Sequence, residues 1–214
     1  EYVKNRKIPD HLFNSLHSCK DISVFVKQFD RYNHLNIKKE PVLIIPFYTK
    51  NREYSYISCR SILKNSTFRY YVLEINDIYP KIWGLEFIDW NKPCFVFEGP
   101  IDAMCIPNSL ALAGSTGNKT IDYIIDKAKN KVCFVYDNDY RYNIQILKQI
   151  KKRINQGFDI MIYDKFFPGK DINEVLCNGK MSINEIQQYI ENHIFNGLRA
   201  KIELAHQTHH IKFN

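Results

Sequence analysis

The chain has 214 residues, 45% of them hydrophobic and 14% aromatic, with eight glycines and eight prolines; that is enough apolar material for a packed core, and it excludes a low-complexity, collagen-like or globally disordered chain. The longest apolar run, Val42–Tyr48, is interrupted by Pro46 and falls far short of the ~20 residues of a transmembrane helix; with no signal peptide visible, a cytoplasmic protein with no membrane partner is expected. The net charge of +7 divides almost evenly, +4 over residues 1–90 and +3 over residues 91–214, which permits a polyanionic partner without requiring one.

Taken in order, residues 1–9 are polar and basic and read as a frayed lead-in. Asp10–Cys19 and Asp21–Asn33 read as helices, each opened by an Asp able to cap free N–H groups. Three strands follow, Pro41–Tyr48, Tyr54–Ile62 and Phe68–Ile75, rich in β-branched and aromatic residues and separated by polar turns. They predict an antiparallel or mixed sheet.

From Pro93 short apolar strands alternate with helices. The strands are Cys94–Phe97, Ser109–Ala113, Val132–Tyr136 and Ile160–Tyr163. The helical stretches are a turn at Ile101–Cys105, then Ile121–Lys129 and Asn143–Asn155, the last with Ile146, Leu147, Ile150 and Ile154 inward and Lys148, Lys151, Lys152 and Arg153 outward. Such alternation predicts a parallel sheet covered by helices. Ser182 and Glu185 form a capping box that opens a helix to about His193, and Arg199–Phe213 reads as a final helix. The expected class is therefore α/β (α+β overall), divided into 1–92, 93–178 and the C-terminal helices of 179–214. The six cysteines form no C-x-x-C pair, so zinc is not expected in this chain, and Cys94 and Cys133 read as buried free thiols.

Two of the parallel strands end in carboxylates. The first runs into Glu98, with Asp102 four residues on; the second runs into Asp137-Asn138-Asp139. Ligands of open parallel sheets bind beyond the carboxyl ends of the strands, so Glu98, Asp137 and Asp139 are expected to converge. Clustered carboxylates repel one another unless a cation neutralises them. Oxygen ligands suit a hard ion, Mg²⁺ with Mn²⁺ able to substitute, and such an ion serves phosphoryl transfer.

The ordered set resembles the Toprim domain. Glu98-Gly99-Pro100-Ile101-Asp102-Ala103-Met104 is similar to its first motif, Ala111-Leu112-Ala113-Gly114-Ser115 to its second strand and glycine turn, and Asp137-Asn138-Asp139 to its Asp-x-Asp motif. Gly169-Lys170-Asp171-Ile172-Asn173-Glu174-Val175-Leu176 resembles the Lys-Asp-x-Asn segment that closes the domain in primases. Upstream, Ile44-Ile45-Pro46-Phe47-Tyr48, Cys59-Arg60-Ser61, Phe68-Arg69-Tyr70-Tyr71 and Lys81-Ile82-Trp83-Gly84-Leu85 resemble successive elements of the replicative primase core, with Cys59 in place of the usual glycine and Arg69 in place of lysine. The whole is most like tailed-phage primases.

The resemblance implies a Toprim domain preceded by a smaller mixed primase subdomain, and synthesis of short RNA primers from ribonucleoside triphosphates on single-stranded DNA. It implies metal ligands at Glu98, Asp137, Asp139 and Asp171, with Glu98 alternatively a base, and Asp102 orienting them. Arg60, Arg69, Lys81 and Lys170 would meet triphosphate or template. The family's upstream zinc ribbon and a following helicase are not matched, so a separate replicative helicase is the expected partner. A Toprim nuclease using the same metal, or a non-catalytic nucleic-acid-binding module, are the competing expectations. Tyr70 and Tyr71 read as core residues before stacking platforms, Trp83 and Trp90 as packing between subdomains, and His206, His209 and His210 as surface.

Overall fold

The computed structural model describes residues 1–66, 68–114, 118–128 and 132–208. The first part opens with helix α1 (Tyr2–Asn5), a 3₁₀ turn over Asp10–Ser15, strand β1 (His17–Cys19), helix α2 (Ile22–Val26) and a second 3₁₀ turn over Asp30–Tyr32. The lead-in is not frayed. Ile8 and Leu12 are buried, and Arg6 exchanges hydrogen bonds with Asn173 in both directions. The helix expected over 10–19 breaks at Leu16, whose backbone is extended, because His17–Cys19 pairs antiparallel with the next strand. The helix after Asp21 forms, capped by that side chain, but is only five residues long.

Strands β2 (Val42–Tyr48), β3 (Tyr54–Ser61) and β4 (Tyr70–Glu74) complete an antiparallel sheet in the order β1-β2-β3-β4. The apolar run of β2 is buried on both faces. Val42 and Ile44 join Ile22, Val26 and Cys59 in one cluster, while Leu43, Ile45 and Phe47 point into the main core. Side-chain alternation along a strand makes that division.

The second sheet is built from β5 (Cys94–Phe97), α3 (Pro100–Met104), β6 (Ser109–Ala111), α4 (Asn118–Ala128), β7 (Val132–Val135), a 3₁₀ turn over Asn138–Arg141, α5 (Ile144–Asn155), β8 (Asp159–Met161), α6 (Ile172–Cys177), α7 (Ile183–Asn192), β9 (Ile194–Phe195) and α8 (Gly197–Thr208). The strand order is β6-β5-β7-β8-β9. The first four strands are parallel, as the alternation predicts, and β9 pairs antiparallel with β8. Residues after 179 are thus not purely helical: two of them supply the sheet's edge strand. The capping box at Ser182 and Glu185 is present.

The core of the second sheet is continuous with one face of the first. Trp83 is buried and pairs with Ala111, tying the connecting segment to β6. Gly84 follows with φ +95°, and a Cβ there would stand 2.7 Å from the Ser109 carbonyl oxygen, so the close approach needs glycine. Trp90 packs edge-on against Tyr123 of α4.

The expected outward face of α5 needs one correction. Lys148, Lys151 and Lys152 are exposed, but Arg153 is 0% exposed. It shares the inward face with Ile150 three residues earlier, lays its guanidinium 5.2 Å from the Phe134 ring centroid and donates to Gln156. All six cysteines are free, with Cys94 and Cys133 buried. Among the described residues no helix is long and apolar enough to cross a membrane.

Candidate active site

Phe97 at the end of β5 lies opposite Val135 at the end of β7. Glu98, the next residue after Phe97, and Asp137, two residues after Val135, therefore leave the sheet at the same edge, and the Asp137 backbone N–H donates to Glu98 Oε1 at 3.1 Å. Beside them α3 begins at Pro100, a position where a missing N–H costs no helix hydrogen bond, and its first turn carries Asp102. A cavity of about 290 Å³ results, lined by Glu98, Gly99, Asp102, Asp137 and Asp171 on one side and by Arg69, Tyr70 and Val72 from the β4 edge on the other. It lies between the two sheets. At its rim Ala113 and Gly114 both have positive φ, +45° and +79°; the non-glycine residue there is strained, a feature that gathers at functional sites.

The segment 169–173 closes the cavity. Asn138 N–H donates to the Lys170 carbonyl at 2.7 Å, and the Asn138 side-chain amide to the Gly169 carbonyl at 2.9 Å. These bonds aim the Lys170 ammonium at Asp139 (3.2 Å) and Asp137 (3.8 Å). Asp171 caps α6, accepting from Glu174 N–H at 2.7 Å, while also lining the cavity. The Asn173 N–H donates to Asp102 Oδ1 at 3.0 Å. Asn173, 2% exposed, also binds Arg6, so one buried amide joins α3, α6 and the N-terminal segment.

Burial dominates the electrostatics, and mutual repulsion reinforces it. Burial, then the charges of Asp102, Glu98 and Asp171, push the Asp137 carboxyl up to about 8. Glu98 and Asp102 are displaced upward by burial first and by neighbouring carboxylates second. Burial works against the Lys170 charge, but the hydrogen bond to Asp139 and the charges of both aspartates raise its pKa overall.

The structure thus brings Glu98, Asp102, Asp137 and Asp171 to one cavity, with Asp139 held beside it through Lys170. Among the described residues no three His, Cys, Asp or Glu side chains converge tightly enough to enclose an ion; the Lys170 ammonium is the positive charge that the arrangement itself supplies. The donor set nevertheless suits a hard cation. It is entirely oxygen, burial and then neighbouring carboxylates raise Glu98, Asp102 and Asp137, and Asp139 Oδ1 is buried with no hydrogen-bond partner.

Arg60 is buried, donates to the Tyr2 hydroxyl and stacks 4.6 Å from the Tyr70 ring centroid. With Arg69, Arg6 and Lys64 it lines a second cavity of about 720 Å³ that shares Arg69 with the first. Lys81 lines neither cavity. It stands two residues before Trp83, whose bridge to Ala111 is the nearest link to the second sheet. Tyr70 is half-buried and reaches the cavity, and Tyr71 packs against Phe68. His206 faces Glu203; Ser115, Lys129, His209, His210 and the end of the final helix lie outside the described residues.

Sequence reasoning gave no role to Arg6, Asn138, Arg141 or Asn173. Arg141 donates to Asn138 Oδ1 and to the Tyr163 carbonyl, both at 2.7 Å, and so braces the turn that carries Asp137 and Asp139. Asn138 and Asn173 stood inside recognised motifs, and their short amide side chains were the available signal; nothing local marked Arg6.

The site is therefore an acidic cavity at the carboxyl ends of a parallel sheet, with Arg69 of the antiparallel sheet facing it. The comparisons agree with the resemblance read from the motifs. The chain is 28% identical over 206 residues to the DNA primase of Enterobacteria phage T4, covering 96% of this chain and 58% of that protein. It superposes on the Aquifex aeolicus primase (zinc-binding and RNA polymerase domains) with a TM-score of 0.64 at 17% identity, over 89% of this chain and 54% of that one. It also superposes on a DnaG primase catalytic domain bound to single-stranded DNA, with a TM-score of 0.63 at 15% identity, over 89% and 70%. No protein-family model matches the chain. The chain therefore spans little more than half the length of the phage primase it resembles.

Proposed function

We propose that this chain is the catalytic core of a DNA primase, which joins ribonucleotides into short RNA primers on a single-stranded DNA template. The observation that carries this is the single cavity in which Glu98, Asp102, Asp137 and Asp171 face Arg69 across the gap between the two sheets. Glu98, Asp137 and Asp139 would hold Mg²⁺, or Mn²⁺ in its place, with Asp171 at the margin. Such an ion, when bound, neutralises phosphate oxygens and lowers the pKa of a coordinated hydroxyl.

The chain's own groups do the remaining work. Lys170 is released from the aspartates when phosphate competes for it, and donates to that anion. Arg69 and the stacked Arg60 supply positive charge to triphosphate or template from the opposite wall. Lys81, two residues before the Trp83–Ala111 bridge, would add to that charge. Alternatively, Glu98, raised by burial, would take a proton from an attacking 3′-hydroxyl instead of holding the ion. Asp102, fixed by Asn173 N–H, holds the cluster's geometry. The chain would act in a cytoplasm, that of the host if phage-encoded, beside a separate replicative helicase.

The test is incorporation of labelled ribonucleotides on a defined single-stranded template with Mg²⁺. Incorporation that Asp137→Ala and Asp139→Ala abolish supports the reading. Metal-dependent degradation of the template with no incorporation replaces it with a nuclease, and template binding unaffected by either substitution, with no turnover, replaces it with a binding module.

A further inference from the structure

Two loops stand beside the catalytic carboxylates at the carboxyl ends of β7 and β8, and each carries a basic–aromatic pair: Arg141-Tyr142 on one and Lys165-Phe166 on the other. The proposed mechanism uses neither aromatic ring. Tyr142 is 86% exposed and Phe166 78% exposed, more than any other large hydrophobic among the described residues. Isolated exposed apolar residues are ordinary, but exposed aromatics gathered at one place mark a contact surface.

These two loops are joined. The Tyr140 hydroxyl donates to the Tyr163 carbonyl at 2.9 Å, and Arg141 Nη2 donates to the same oxygen at 2.7 Å. The Asp139 backbone carbonyl anchors the first loop by accepting from Tyr142 N–H at 2.8 Å, and Asp164 Oδ1 anchors the second by accepting from Phe166 N–H at 2.8 Å. Both backbones are therefore set while both rings stay in solvent. Each ring has a cation beside it: the Lys165 ammonium lies 4.9 Å from the Phe166 ring centroid, and Arg141 directly precedes Tyr142.

We infer that Tyr142 and Phe166 form a stacking platform for unpaired bases of a single-stranded DNA as it leaves the catalytic cavity. The inference rests on the primase reading and extends it to a surface that reading leaves unused. Flat, partly polar π-faces bordered by cations match a nucleic-acid strand better than an apolar peptide, because bases stack on the rings while phosphates meet the lysines. The strand order gives the path. β7 and β8 follow β5 in order, so the loops of Tyr142 and Phe166 leave the sheet one and two strand spacings, roughly 5 and 10 Å, beyond the strand of Glu98. Those distances correspond to about one to three nucleotides of stacked strand.

The probe is a fluorescently labelled, unstructured DNA oligomer titrated with the intact chain, with a ribonucleotide-incorporation assay alongside. Y142A/F166A is expected to weaken binding at least tenfold at every salt concentration, with an unchanged slope against salt, since no phosphate contact is lost. Y142F/F166Y is expected to bind as the parent does, and an oligomer with 2-aminopurine is expected to lose its quenching only with the alanine variant. Unchanged melting temperatures check that both variants fold, as such exposed positions should. Equal binding by the parent and Y142A/F166A, with incorporation intact, overturns the platform and leaves the primase reading standing. A parent that binds no DNA oligomer and incorporates nothing overturns both. Tighter binding of an RNA oligomer, with only that binding lost in Y142A/F166A, overturns the assignment to the DNA strand.

Discussion

Glu86 offers a clean test of the electrostatic reasoning, because it is far in role from the carboxylates of the cavity. It sits in the segment that links the two sheets, with Oε2 buried and without a hydrogen-bond partner. Burial raises its carboxyl from 4.5 to about 7. A raised pKa means that the folded state holds the proton more tightly than the unfolded chain. The associated stability is therefore fully present below pH 4.5 and is lost as pH rises toward 7. At about 1.4 kcal/mol for each tenfold change in proton affinity, the cost of ionising Glu86 in place reaches at most about 3 kcal/mol, and partial solvent access brings this nearer to about 2. Glu86→Gln keeps the shape and removes the titration. Its melting temperature should match the parent's near pH 4 and exceed it by about 4–8 °C at pH 8, at about 2–4 °C per kcal/mol for a chain of this size. Contributions from Asp102 and Asp137 are common to both proteins and cancel in the difference. A gap between the two melting curves that does not change with pH would refute the assignment of burial as the cause.

Asn173→Ala should destabilise by about 2–4 kcal/mol, because it removes both side-chain hydrogen bonds to Arg6, one of them charged; denaturant titration measures it, and a loss below about 0.5 would show that the N-terminal segment is not held there. Gly84→Ala should cost at least about 2 kcal/mol through positive φ and a Cβ against the Ser109 carbonyl; a soluble variant melting with the parent contradicts the close approach. Asp137→Asn, measured without divalent metal, should raise the melting temperature at pH 8 by removing a buried, repelled charge, and with Mg²⁺ it should abolish ribonucleotide incorporation. Parent-level synthesis by that variant would remove Asp137 from the reaction. Chelation of divalent metal should stop incorporation by the parent, and added Mn²⁺ should restore it; synthesis persisting in excess chelator would exclude the proposed ion.

Much of the second sheet was legible because its strands are short and wholly apolar and end in conspicuous residues. Cys94–Phe97 and Val132–Val135 sit within one residue of their expected ends, and the caps at Asn143 and Ser182 carry their own local signal. The same holds for the acids. Glu98, Asp137 and Asp139 could be placed at one edge from the sequence alone, since parallel strands fix the end from which their next residues emerge.

What local pattern could not supply was pairing and partner choice. His17–Cys19 and Ile194–Phe195 have no strand signal of their own and exist because neighbouring strands offer unpaired edges. Arg153 reads as one more solvated cation, yet helix phase and the Phe134 face bury it. The amino-acid order by itself determined the class of fold and the acidic motifs, because each follows from residues close together in the chain. Only the tertiary structure decided that Lys170 bridges the aspartates, that Asn173 ties Asp102 to Arg6, and that the loops carrying Tyr142 and Phe166 are bonded to each other. Those are meetings between segments tens to more than a hundred residues apart, and their energies depend on three-dimensional neighbours that no local window of sequence contains.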